Sequence, residues 1–366
     1  MYRRLLKAAL LALTVMLTLM RGTEAAPAVT NDLRLPPLKA GRTRPLIAIV
    51  ADNAGTETTD LLVPYGVLKE ADVADVVIVS THPGAVNLMP ALRIETEKTL
   101  EAFDSAHQTR ADIVVVPALH DGRNETVIRW VRTQADKGAF VLSICEGAWI
   151  PARAGLLEGR SATTHWYAFD SIAGAFPQAR WTRDRRYVVD GNIMTTTGVS
   201  ASIPASLSLV EAIAGRAKAA AVASRLGIDD WGAEHDSSAF HLTAGRMGSI
   251  ARNAVLFWKH ETLAIPIADG VDEIALALTA DAWSRTYRSQ AIAVSTQTIV
   301  RSRRGLTLLP SDTAANVYRQ LALPKSTSAG ALKEALGAIA GRYGNATADI
   351  VALQLEYGRE AQAAAK

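Results

Sequence analysis

Val141-Leu-Ser-Ile-Cys-Glu-Gly-Ala148 joins two elements at a sharp corner. The apolar run Ala139 to Ile144 reads as a buried strand, it stops at Cys145-Glu146-Gly147, and Ala148 to Ala154 reads as a helix. A nucleophile on such a turn stands clear of the sheet and faces the positive end of the following helix, which favours thiolate over thiol. Cys145 is the only cysteine of the chain, so no internal disulfide is open to it. The other reading of a lone cysteine is a small buried hydrophobe. The turn glycine, Gly147, favours the reactive one.

Before this corner, Pro45 to Ala51, Val73 to Ser80 and Asp112 to Val116 are continuous apolar runs of strand length. Leu61 to Ala71, broken early by Pro64, and the amphipathic Glu125 to Lys137 read as helices between them. This alternation predicts a parallel sheet covered on both faces, with the ligand crevice beyond the carboxyl ends of its strands. Loops 52–60, 117–123 and 145–148 should meet there. After the corner, Tyr187 to Val189 and Asn192 to Met194 form a hairpin over Asp190-Gly191, and Thr195-Thr-Thr-Gly198 opens a long helix through Ala214. These elements outline a doubly wound α/β domain over residues 45–215.

With 366 residues the chain has room for two domains, and 49% apolar with 20% charged residues excludes a disordered or fibrous protein. Arg3, Arg4 and Lys7 precede the apolar run Ala8 to Met20, and small residues follow around Ala25. This is the pattern of a secretory signal peptide over 1–28, with 29–44 as a linker. The run is shorter than the roughly 20 residues a spanning helix needs, so no stable membrane span is expected after cleavage, and the location is periplasmic or secreted. Cleavage near Ala25 would remove four basic residues and one acidic one, the whole of the formal charge of +3. The basic balance therefore does not argue for nucleic acid. An unpaired cysteine in an oxidising compartment favours a reactive role. No zinc pattern, phosphate-cradling loop or dinucleotide fingerprint is present, so neither metal nor cofactor is expected.

The corner, together with Ala154-Gly-Leu-Leu-Glu-Gly159, Ala162-Thr-Thr-His-Trp166 and Thr196-Thr-Gly-Val199, resembles the ThiJ/PfpI superfamily of the class I glutamine-amidotransferase-like fold. The branch is that fused to AraC-type regulators, which includes isonitrile hydratases. The resemblance implies a flavodoxin-like sheet with a nucleophile elbow, a small-molecule substrate or ligand, and a homodimer. It assigns Cys145 as nucleophile, His165 as the histidine near it, and Asp60 as the acid that contacts it. A protonated carboxyl can hydrogen-bond a thiolate, and a histidine can move protons. Read on their own, Asp60 could be a helix N-cap and His165 a core histidine satisfied by backbone.

Departures from the family pattern fall around the same site. Glu146 stands where protease-like members have histidine and hydratase-like members a small hydroxyl residue, which argues against proteolysis and tends to raise the thiol pKa. The family's glycine pair is replaced by Ala118-Leu119, which removes an expected oxyanion hole. Glu146, Gly147, Ala118, Leu119, His120 and Thr164 are the candidate pocket or oxyanion residues, with His120 alternatively in a solvated loop.

Residues 216–260 read as a connecting helix and loop, and 261–366 as a C-terminal α/β half-domain without a basic recognition helix. Ile265-Pro-Ile-Ala-Asp269 echoes Ile49-Val-Ala-Asp52, and Ala291 to Ser295 echoes Val76 to Ser80. A shift of 215 aligns the two and sets Ala275 opposite Asp60. The segment is a truncated second βα copy or a generic likeness. Leu332 to Tyr343 and Thr347 to Ala361 read as a terminal helical hairpin, and Arg301-Ser-Arg-Arg304 as a solvated basic turn. Two functions follow: a cysteine-dependent hydrolase, hydratase or lyase acting on a small electrophile, or a ligand-sensing or structural module with a redox-sensitive cysteine.

Overall fold

The apolar runs expected as strands lie side by side in one sheet, in a computed structural model that describes residues 33–311, 319–324 and 327–358. The expected export signal lies outside the described residues, and the last helix ends at Gln354, short of the expected Ala361. The strands are β1 (Leu46–Ala51), β2 (Asp75–Ser80), β3 (Lys98–Thr99), β4 (Ile113–Val116), β5 (Phe140–Ser143), β6 (Tyr187–Asp190) and β7 (Ile193–Thr196). They are ordered β6-β7-β5-β4-β1-β2-β3, and all neighbours are parallel except β6 with β7. Successive side chains of a strand point to opposite faces. Ile47, Ile49 and Leu142 accordingly enter one core cluster, and Ala48, Val50 and Val141 the other. Helices α1 (Thr58–Ala71) and α3 (Ser202–Ala214) cover the first face, and α2 (Glu125–Asp136) covers the second. This is the expected flavodoxin-like, doubly wound arrangement.

Two boundaries differ from expectation. Helix α1 starts at Thr58 rather than Leu61 and runs unbroken through Pro64. Proline removes one donor, and the turn before it is held independently, by the Glu57 side chain at the cap and by the Thr58 hydroxyl on the Met89 and Ala91 carbonyls. Thr195 and Thr196 do not open a helix. They complete β7, where Thr195 pairs with Ser143 beside the elbow, and α3 begins at Ser202.

Beyond α3 come α4 (Ala244–Val255), β8 (Glu261–Pro266), α5 (Glu273–Ser284), β9 (Ser289–Val294), β10 (Arg319–Gln320), α6 (Gly330–Tyr343) and α7 (Asn345–Gln354). Strands β9-β8-β10 form a small parallel sheet. The 215-residue shift carries β1 onto β8 end to end, from 46 to 261, and the first residue of α1 onto the first of α5. Helices α1 and α5 then cross about a local two-fold. Thr59 donates to Asp281 at 2.8 Å. The shifted counterparts of that pair, Ile274 and Gly66, also meet, and a Cβ on Gly66 would stand 2.4 Å from Ile274 Cγ1. A flanking five-stranded sheet runs Val300–Arg301, Thr307–Leu308, Arg93–Glu95, Ala85–Met89, Thr56–Glu57, antiparallel except for the last pair, and its first four strands come two from each half of the chain. The C-terminal segment is thus a half-domain with the same βα order at a spacing of 215 residues, packed helix to helix on the first.

Arg304 does not lie in a solvated turn. Its guanidinium is buried between Glu70 (2.9 Å), Glu273 (2.9 Å) and Asp272 (3.2 Å), because the two-fold brings the end of α1 against the start of α5.

Gly66→Ala should force α1 and α5 apart and lower stability by roughly 1–3 kcal/mol. Adding Ile274→Ala should recover part of that loss, so the double mutant in urea unfolding should be more stable than the sum of the single changes.

Candidate active site

The elbow is real and strained. Cys145 has φ of +57°, in the left-handed region that a side chain disfavours, and opens a single 3-10 turn, Cys145–Ala148. Its N–H donates to Thr196 Oγ1 at 3.2 Å, and the Thr164 hydroxyl donates to its carbonyl at 2.9 Å. Gly147 packs the turn onto the end of β4, where a Cβ would stand 2.3 Å from the Val116 carbonyl oxygen. These contacts, and not the cysteine's own preference, hold the backbone there.

Asp60 is not the N-cap of α1. That cap is Glu57, whose Oε2 accepts the Asp60 N–H at 2.5 Å. The fully buried Asp60 side chain turns inward, with Oδ2 accepting from the Ala118 N–H at 3.1 Å and Oδ1 without a hydrogen-bond partner. Ala118 therefore spends its donor on Asp60 rather than on an oxyanion. Burial pushes the Asp60 carboxyl up to about 7, against the pull of the Ala118 N–H and the Arg285 guanidinium.

The standing thiolate expected at Cys145 is overturned. Burial first, then the charges of Asp60 and Glu146, push its thiol well above the usual value, and the Glu146 N–H offsets them only in part. The helix that follows, Trp149–Arg153, is too short to outweigh a buried site lined with carboxylates.

His165 is buried, and its Nε2 lies 3.1 Å from the Gln354 carbonyl oxygen. A carbonyl only accepts, so Nε2 carries the hydrogen and Nδ1 is left as a bare lone pair. That Nδ1 has no hydrogen-bond partner and stands 3.9 Å from Glu146 Oε1. Burial holds the imidazole below its ordinary pKa against the opposing charges of Glu356 and Glu146, so it rests neutral. The backbone satisfies one of its nitrogens and leaves the other for chemistry.

Four further groups escaped the sequence reading. Arg285, at the end of α5, donates to Glu57 at 2.7 Å and to Asp281 at 2.5 Å, and Asp281 in turn accepts from Thr59. Glu356, just past α7, is buried, with Oε2 on the Gly198 N–H at 2.7 Å and Oε1 2.8 Å from His235 Nε2. Its Oε2 also lies 4.0 Å from His165 Nε2. None of the four carried a local signal: Glu is not among the preferred cap residues, and Asp281, Arg285 and Glu356 lie far along the chain from the elbow. Of the expected pocket residues, His120 is exposed and Leu119 packs toward the other face of the sheet. Among the described residues no group of His, Cys, Asp and Glu is placed to hold a metal.

A carboxyl whose folded pKa lies above its unfolded value binds its proton more tightly when folded. Asp60 therefore weakens the fold progressively as pH rises from about 4 to about 7. Asp60→Asn should be the more stable protein at pH 8, by up to about 4 kcal/mol, with the gap closing below pH 4 in denaturant melts. Glu356→Gln should lower the His165 pKa further, since the charge that favours the imidazolium is gone, which imidazole NMR titration would read.

Residues 46–212 match the family model described as DJ-1/PfpI family. An isonitrile hydratase from Pseudomonas putida is 31% identical over 165 residues, 43% of this chain and 67% of the hydratase. The HTH-type transcriptional regulator CdhR of Pseudomonas aeruginosa is 36% identical over 84 residues, 23% of this chain and 25% of the regulator. The chain thus spans about two thirds of one relative and a quarter of the other. Drosophila melanogaster DJ-1beta aligns with a TM-score of 0.46 at 22% identity, over 51% of this chain and 100% of that one. The chain belongs to the DJ-1/PfpI family, through the α/β half that carries Cys145, Asp60 and His165.

Proposed function

We propose that this protein is an exported enzyme in which Cys145 adds to an electrophilic carbon of a small molecule and water then replaces the sulfur, a hydratase reaction. One observation carries the reading. Asp60 Oδ1 and His165 Nδ1 are buried without partners in the site of the strained Cys145. Buried polar atoms are ordinarily satisfied, and an orphan is the signature of a group kept for a ligand or a proton.

Asp60, with a pKa near 7, suits a general acid–base. As Sγ bonds to carbon, the thiol proton passes to Asp60 and on to the substrate. Water then adds to the same carbon and gives its proton to His165 Nδ1. The S–C bond breaks and that proton returns to the sulfur, so the net change is addition of one water. Cys145 is only 6% exposed, which restricts the substrate to a small group. The surrounding carboxyls of Asp60, Glu146 and Glu356 disfavour an anionic one. The isonitrile hydratase relative makes isonitriles the first class to try.

A second reading is a sensing module in which Cys145 is oxidised. The similarity to regulators favours it, while the raised thiol pKa slows oxidation as it slows nucleophilic attack. With small alkyl isonitriles, the enzyme reading expects formamide formation whose kcat/KM rises with pH through about 7. Cys145→Ser and Asp60→Asn should each lose roughly 10³-fold or more. No turnover on isonitriles, together with stepwise oxidation of Cys145 by peroxide, would move the assignment to the sensor.

A further inference from the structure

We propose that the face built by α4 and the turn Phe257–Lys259 docks on the surface of an anionic phospholipid bilayer. Helix α4 has twelve residues and buries one of them, Asn253. That side chain pins the helix to the protein, donating to the Thr286 carbonyl and the Thr347 hydroxyl at 3.0 Å each, while the Asn253 carbonyl lies 2.9 Å from His260 Nε2. The pin is polar, and the apolar side of the helix is turned to solvent. Met247 and Val255 fall on one stripe at helical spacing and are 53% and 64% exposed, and the stripe continues into Phe257 and Trp258 at 71% and 64%. Exposed apolar surface gathered in this way marks an interaction site.

Charge selects the occupant. From Ser237 to His260 the chain holds no Asp or Glu, and it carries Arg246, Arg252 and Lys259. Aromatic and aliphatic side chains flanked by cations, without anions, suit the boundary between headgroups and acyl chains. Nucleic acid would use the cations and leave Met247 and Val255 without a partner. A second copy meeting the same face about a two-fold would bring like charges together. No helix among the described residues is long and apolar enough to cross a membrane, so the contact is peripheral.

The test uses the full chain with vesicles of phosphatidylcholine alone or with phosphatidylglycerol, the acyl chains brominated to quench tryptophan. All seven tryptophans lie between Trp130 and Trp283, so insertion of the N-terminal residues brings none of them to the lipid. Anionic vesicles should quench a component of emission that Trp258→Phe removes. Arg252→Glu with Lys259→Glu, both exposed and without a role in the core, should weaken that quenching at least about tenfold in lipid concentration. Quenching unchanged by Trp258→Phe or by the charge reversals would overturn the proposal. So would a dimer in sedimentation that Phe257→Ser dissolves, or vesicle-independent capture of the face by an acidic protein.

Discussion

The guanidinium of Arg285 holds the candidate site to the rest of the protein. It is partly buried between Glu57 and Asp281, and both carboxylates are nearly sealed from solvent. Removing one partner of such a pair leaves an uncompensated charge, at a cost of about 3–5 kcal/mol. The consequence reaches further than stability. Glu57 is the cap that accepts the Asp60 N–H, Asp60 takes the N–H of Ala118 at the end of β4, and β4 is the strand end on which the elbow glycine packs. The position of Asp60 is therefore set in part by Arg285, in the C-terminal half-domain.

That cluster also sets the protonation of the site. Glu57, Asp60 and Asp281 share one nearby cation, and burial works against the negative charges of Glu57 and Asp60. The outcome is a thiol and a carboxyl near neutrality, with a neutral imidazole whose Nδ1 is open. Such a site holds a transferable proton at ordinary pH, where a thiolate with an ionised carboxylate beside it would be doubly costly.

Much of this was legible in the chain. Apolar runs of strand length reported the sheet, because buried parallel strands need no polar alternation. Cys145 with Gly147 reported the elbow, because few residue pairs suit a positive φ followed by a close backbone approach. Asp60 and His165 were singled out through the resemblance to the family, not by their local sequence. What was illegible depends on distance along the chain. Glu356 reaches His165 and Gly198 from the far end, and Arg304 is buried by a symmetry that local composition does not encode. The thiolate was misjudged for a different reason: a turn's dipole can be read from sequence, whereas the carboxylates that oppose it come together only in three dimensions.

The 215-residue relation shows how the ionisable groups are divided between the two ends of the helix pair. Under the 215-residue shift, Asp60 corresponds to Ala275, so the C-terminal half-domain has no acid at that position. Asp281 corresponds to Gly66 and Arg285 to Glu70, so the first half lacks the groups that steady the site. At one end Arg285 faces Glu57 and leaves Asp60 with an open oxygen. At the other, Arg304 is saturated by Glu70, Asp272 and Glu273, and no side chain there stands in for Asp60. A symmetric pair of complete copies would place acid and guanidinium on both helices. Here they are divided, and the C-terminal half-domain supplies the guanidinium that holds Glu57 at the start of α1.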